Sequence, residues 1–262
     1  MRLIDDLAGS IRRPDHWVYA AWLDTVSRYR RHRLGLLWLF VPTALYIWGV
    51  GGFLGSMQPG LTLSNFFAHI AVGYAVFRLA TTVFTDSATV FASRRSYIYD
   101  GSLRLTDFLL RSIAKTSFYF LLTLPLVLVV LLGSPQFQWT GIPLALAGLL
   151  LVAANLVSYG VVIGLLGARL PDLDEFMGNA TLALFLLTPI VWMPEMAPAG
   201  TIRGTLMRAN PFHHMVEVVR APLMGHAIDI GTWWYLAVFT VVGAVLAVLG
   251  YQRFARDVPV WL

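Results

Sequence analysis

Charged residues are absent from two long stretches of the chain, residues 34–77 and 116–168. Mostly apolar residues fill them, interrupted by Gly, Pro and uncharged polar residues at turn-like points. Because about 20 apolar residues cross the hydrocarbon core of a bilayer, such stretches read as consecutive spans. Six transmembrane helices are expected: 34–55, 63–84, 113–132, 142–168, 176–193 and 233–250. The fourth is long enough to tilt. The first turn, Ser56-Met57-Gln58-Pro59-Gly60, and the later one at 133–141 carry no charge. The fold class that follows is an all-α membrane protein, with 34–262 as a six-span domain and 1–33 as a separate N-terminal segment.

Composition sharpens this picture. Of 262 residues, 58% are hydrophobic and 13% charged, at a mean hydropathy of +0.69, whereas a soluble domain carries about 25% charged residues. A separate soluble catalytic domain does not fit. The chain has no cysteine, so thiolate chemistry and Cys-based metal sites are excluded. Arg12, Arg13, Asp15 and Asp24 interrupt any secretory signal, so the N-terminal segment is expected to stay attached. Basic residues gather before the first span, between the second and third (Arg94, Arg95, Arg104, Arg111, Lys115), at Arg169, and at Arg253 and Arg256. The remainder are Arg203, Arg208 and Arg220 on the other side and Arg78 within a span. By the positive-inside bias both termini are expected to be cytoplasmic and the uncharged turns external. Ahead of the first span, Trp17, Ala20, Ala21, Val26 and Tyr29 share a face, with Asp24, Arg28, Arg31 and His32 on much of the rest. This reads either as an amphipathic helix on the inner leaflet or as an ordinary basic flank.

Candidate chemistry is sparse. A phosphate-binding loop needs two glycines at set spacing before Lys-Ser/Thr. Lys115-Thr116 lacks both, and Lys115 is the sole lysine, so any ATPase must be another polypeptide. Carboxylates stay out of the span interiors, leaving no evident proton relay. Arg78 should therefore face a partner, the bundle interior or a wet cavity, with Asp86 two turns on as an available acid. His69 is expected at an interface. His213 and His214 point about 100° apart on a helix and cannot share an ion from one face, so no metal site is expected.

Two regions carry more information. Asn210-Pro211 reads as an N-cap followed by proline at the first helical position. Phe212, Val216, Val219 and Leu223 then form an apolar stripe, with His213, Glu217 and Arg220 opposite, until Pro222 and Gly225 end the helix. With residues 203–208 before it, this is either a re-entrant pair at an outer gate or an interfacial external helix. The basic, aromatic loop 93–102 contains Arg94, Arg95, Tyr97 and Tyr99 and ends at Ser102. It has the makeup of a short helix that a soluble partner grips, or of a solvated loop. The second inner loop is acidic, with Asp172, Asp174 and Glu175.

The chain resembles the membrane subunit of ABC-2 type polysaccharide exporters, the O-antigen, teichoic acid and capsule export family, over nearly its whole length. The resemblance rests on Arg28-Tyr29-Arg30-Arg31-His32-Arg33-Leu34-Gly35-Leu36-Leu37-Trp38, on Ala168-Arg169-Leu170-Pro171-Asp172, and on Leu187-Thr188-Pro189-Ile190-Val191-Trp192. The most specific match is Asn210-Pro211-Phe212-His213-His214-Met215-Val216-Glu217-Val218-Val219-Arg220-Ala221-Pro222-Leu223-Met224-Gly225. Tyr97 to Asp107 lean toward the capsule type. The resemblance implies a homodimer of six-span subunits in the bacterial inner (plasma) membrane. A separate nucleotide-binding ATPase subunit would bind the ATP and Mg, and the substrate would be a lipid-linked polysaccharide. No cofactor in this chain and no nucleic-acid partner are implied. The 94–102 region becomes the coupling helix and 203–225 the outer gate.

A path for such a polymer is wide and wet, and aromatic rings suit the C–H faces of sugars. Tyr46 and Phe53, seven residues apart and about 20° apart on an ideal helix, are candidate channel-lining residues together with Arg78. Two rivals stay open: an ABC-2 exporter of drugs or small lipids, and a membrane-embedded glycosyl- or acyltransferase.

Overall fold

Where the sequence is free of charge, the computed structural model places long helices. It describes residues 2–30, 32–58, 60–101 and 103–262, so Arg31 of the basic entry, Pro59 of the first turn and Ser102 at the end of the coupling loop lie outside the described residues. Among the described residues every regular element is helical. Two short helices come first, α1 (Leu3–Ile11) and α2 (Val18–Tyr29). Next is α3 (Gly35–Ser56), which passes from a 3₁₀ start through α to a π turn at Leu45–Val50 and back to α. Helix α4 (Leu63–Ala88), the short α5 (Arg95–Tyr99), α6 (Leu105–Leu132) and α7 (Ile142–Arg169) follow. The last part of the chain forms α8 (Leu173–Leu187), the short pair α9 (Ile202–Ala209) and α10 (Pro211–Leu223), then α11 (Ile230–Phe254) and α12 (Val258–Trp261).

Among the described residues five segments are long and apolar enough to cross a membrane: α3, α4, α6, α7 extended back to Trp139, and α11. The expected fifth span is the exception. Helix α8 has 15 residues, about 22 Å at 1.5 Å per residue, and stops at Thr188-Pro189 instead of reaching Met193. Other boundaries shift outward: α6 begins at Leu105 rather than at residue 113, about two turns earlier, where the Asp107 carboxylate caps the helix by accepting from the Arg104 backbone amide at 2.9 Å.

Helix α4 is the core of the bundle. In its most apolar window 83% of residues are buried, against 17% in α11, so α4 is walled by protein while α11 presents most of its surface outward. Small residues along α4 (Ala68, Ala71, Gly73, Ala75, Ala80) let neighbours come close. Close approach is also built into α7. A Cβ on Gly148 would run into the Val218 carbonyl of α10, and one on Gly167 into the Ala88 carbonyl at the end of α4.

The bundle has two unlike ends. At the basic end lie α1, α5 and α12, gathered round a second apolar cluster that includes Leu3, Ile98, Phe108, Leu165 and Tyr251, and α2, which packs on α6 with Trp22 edge-on to Phe118. Helix α1, which the hydrophobic pattern did not single out, is tied down there by Tyr251, whose hydroxyl donates to Asp6 at 2.9 Å. At the opposite end the uncharged turns meet α10. Ser134 Oγ donates to Asn65 at 2.7 Å, and the Gln138 amide donates to the Leu223 carbonyl at 3.0 Å.

Candidate functional site

Helix α8 ends because a proline crowds the preceding residue out of the α region. Thr188 accordingly sits extended at φ −90°, ψ 132°. The non-helical stretch 188–193 then needs partners for its backbone. Arg220, distant in sequence, provides one, its Nη1 donating to the Pro189 carbonyl at 2.6 Å. Asn210 Nδ2 holds the Thr188 side chain by donating to its Oγ1 at 2.8 Å, and the His69 ring packs against the stretch, Nε2 lying 3.2 Å from the Trp192 carbonyl.

Arg220 is the hub. It is 3% exposed and its charge is met by Glu217, one turn earlier, at 2.7 Å. Its Nη1 also reaches His69 Nε2 at 3.0 Å; since a guanidinium only donates, that nitrogen accepts. Gly73 of α4 makes room, because a Cβ there would come within 3.3 Å of the same Nη1. The expected polar face of α10 is thus not an open one: His213, His214 and Arg220 are all buried, and His69, expected at an interface, is buried with them. Asn210 does two jobs: its Oδ1 caps α10 by accepting from the Phe212 amide at 3.0 Å while its amide holds Thr188. Pro211 follows at the first helical position, as expected.

Beside this clamp a cavity of about 450 Å³ is lined by Glu195, His213, Glu217, Asp229 and Tyr235. Burial pushes His213 down to about 4, with His214 adding to the effect, so its ring is neutral at ordinary pH. Burial alone would raise Glu217, but the charge and hydrogen bond of Arg220 outweigh it and hold the carboxyl below its usual range. Among the described residues no three His, Asp or Glu side chains converge as metal ligands.

At the basic end the expected coupling residues divide. Arg95, Tyr97 and Tyr99 are exposed on α5, which is anchored by buried Ile98. The Arg95 Nε donates to the Tyr99 hydroxyl at 3.0 Å. Asp172, Asp174 and Glu175 are exposed at the start of α8. Arg94 is turned inward instead and pairs with Asp24 of α2 at 3.1 Å, and Arg111 grips the same carboxylate at 2.7 Å. Burial would raise Asp24, yet the two arginines hold it below the ordinary value. The acid considered for Arg78 is engaged elsewhere, since Asp86 pairs with Lys115 at 2.6 Å.

The expected channel-lining pair does not share a face. Tyr46 turns into the bundle, stacked on Tyr74 at 4.2 Å and edge-on to Phe185 at 5.3 Å. Phe53 is 66% exposed. The reason is the π turn between them, which takes more residues per turn and so defeats an α-helical count of seven. Arg78 is half-buried on α4, lining a cavity with Arg28.

No protein-family model matches the chain. This chain is similar to O-antigen export system permease proteins. Two such proteins of Klebsiella pneumoniae are 21% and 20% identical to it over 237 residues, which is 89% of this chain and 88% of each relative.

Sequence reasoning missed Thr188, Pro189 and His69 as parts of the clamp. A signal was available for two of them: Thr-Pro inside an apolar run breaks a helix. Nothing in the sequence announced His69, which only the packing of α10 across α4 brings to Arg220.

Proposed function

We propose that this chain is the transmembrane subunit of an ATP-driven exporter that moves a lipid-linked polysaccharide across the plasma membrane. The observation that carries the reading is the similarity to O-antigen export permeases across most of both chains. The absence of a phosphate-binding loop in the sequence supports a separate ATPase subunit that binds ATP and Mg. In this reading the protein is a homodimer and performs no chemistry of its own.

Six crossings follow if α8 and the 188–193 stretch together make one pass. Helix α8 runs from the acidic loop at the basic end to the level of His69, near the start of α4, and an even number of passes returns both termini to the cytoplasm. The α9–α10 pair is then the outer gate. Its anchorage on a broken helix rests on the Arg220 bond to the Pro189 carbonyl, a single joint that suits a two-state opening. Exposed Arg95, Tyr97 and Tyr99 form the surface that the ATPase grips, opposite the acidic Asp172, Asp174 and Glu175. Arg94 acts one step behind them, through Asp24.

The experiment is charge reversal at Arg95, a side chain with no internal carboxylate partner among the described residues. Arg95→Glu should leave the chain folded and dimeric while surface polysaccharide falls at least tenfold and ATP hydrolysis proceeds uncoupled from export. Normal export in that variant removes α5 as the coupling surface. Restoration by a charge-reversed ATPase would identify the contact.

A further inference from the structure

Of the arginines without a carboxylate partner among the described residues, Arg95 among them, two line the same cavity. Asp24 is taken by Arg94 and Arg111, Asp86 by Lys115, and Asp6 by Arg104. Arg28 and Arg78 have no carboxylate partner among the described residues. They line one cavity of about 180 Å³ between α2, α3, α4 and α6, whose walls also carry Tyr29, Tyr119, Thr43 and Thr82. The Tyr119 hydroxyl is buried with no partner among the described residues. The Tyr29 ring stands edge-on to it at 6.1 Å. Arg28 is exposed on α2 and forms the rim; Arg78 is half-buried, eight residues beyond Asp86 along α4, about 12 Å deeper at 1.5 Å per residue.

A lone arginine at that depth is costly unless something answers its charge. Two guanidinium groups and an unsatisfied hydroxyl facing the same space are the donor set of an oxyanion. Leu79 and Phe120 complete the wall, so the space suits an anion that carries an apolar arm. At about 30 Å³ per water, it has room for roughly six waters, enough for one phosphoryl group with its ester oxygens and too little for a sugar chain.

We propose that this cavity holds the phosphoryl group of a membrane-anchored lipid, with Arg78 and Tyr119 donating to its oxygens from the floor and Arg28 closing over it from the surface helix. That chemistry has two sources, a phospholipid of the bilayer and the phosphoryl linkage of a lipid-linked export substrate. Only the second rests on the function proposed above. If it is the second, the polymer hangs outside the cavity and the lipid end is held while the transporter engages it.

The test is binding to the purified full chain in maltoside micelles, titrated with short-chain phosphatidylglycerol, a short-chain prenyl pyrophosphate and an uncharged diacylglycerol. The phosphoryl probes should bind at least tenfold more tightly than the diacylglycerol. Arg28→Gln and Arg78→Gln should each weaken phosphoryl binding by about tenfold, in line with the loss of a charge-assisted contact, and leave diacylglycerol unaffected. Equal affinity for charged and uncharged probes overturns the proposal, as does undiminished phosphoryl affinity in both variants. If Arg78→Gln does not fold, undiminished affinity in Arg28→Gln, whose side chain is exposed, overturns it alone. Competition between the two phosphoryl probes decides the source, and a win for either upholds the site. Because the assay uses neither ATP nor polymer, a failure of the exporter reading leaves its result standing, and a failure here leaves export untouched.

Discussion

Arg220 shows how one buried charge organises a joint. Replacing it with Met strands Glu217 and the Pro189 carbonyl together. Removing one partner of a buried ion pair costs about 3–5 kcal/mol, so Arg220→Met should lower the thermal unfolding temperature in detergent markedly. Adding Glu217→Gln should recover part of the loss, because the stranded carboxylate is then neutral; full additivity of the two changes would mean that they do not act as a pair. The same cluster makes stability depend on pH. Native His213 takes up its proton only near 4 and an unfolded histidine near 6.5. The unfolded chain therefore binds more protons through that window, and stability falls as pH drops through it. Glu217, held below the usual carboxylate range by Arg220, adds a loss of the same sign at lower pH. Thermal unfolding followed from pH 7 to pH 4.5 should show the decline, and His213→Asn should flatten its upper part. At the other end Asp24→Asn removes charge-assisted bonds to Arg94 and Arg111 worth about 2 kcal/mol, and hydrogen exchange in α2 should quicken.

At the scale of elements, the packing of α10 on α7 is set by Gly148. A methyl group there forces the Val218 carbonyl away, and overpacking of this kind costs about 1–3 kcal/mol. On the proposed outer-gate reading of α10, Gly148→Ala should thus shift that helix and reduce export without unfolding the bundle, measurable as altered crosslinking between α7 and α10. The long helices were legible in the sequence because charge-free runs of sufficient length have few other uses. So was the capped helix that follows Asn210-Pro211. What escaped was whatever depends on backbone irregularity. Hydropathy counts residues 176–193 as one apolar run, although Pro189 divides it. A seven-residue spacing puts Tyr46 and Phe53 on one face only if the helix between them is regular. The candidate site was half legible for a related reason: local patterning gave Asn210, Pro211, His213, Glu217 and Arg220, while His69 and Thr188 join them through contacts more than twenty residues distant in the chain.

For the whole molecule, the two ends divide the labour. One holds paired charges and an exposed, basic and aromatic helix suited to a soluble partner. The other holds short helices hung on a broken one. Between them α4 is packed on nearly all sides. In the proposed function the chain is an exporter subunit paired with a separate motor, so the central claim is tested most directly by transport in reconstituted vesicles that contain the chain together with its candidate ATPase and a lipid-linked polysaccharide labelled on the loading side. The account predicts polymer crossing that needs ATP, this chain and the ATPase together. Hydrolysis at full rate in the complete system with no polymer crossing would contradict it.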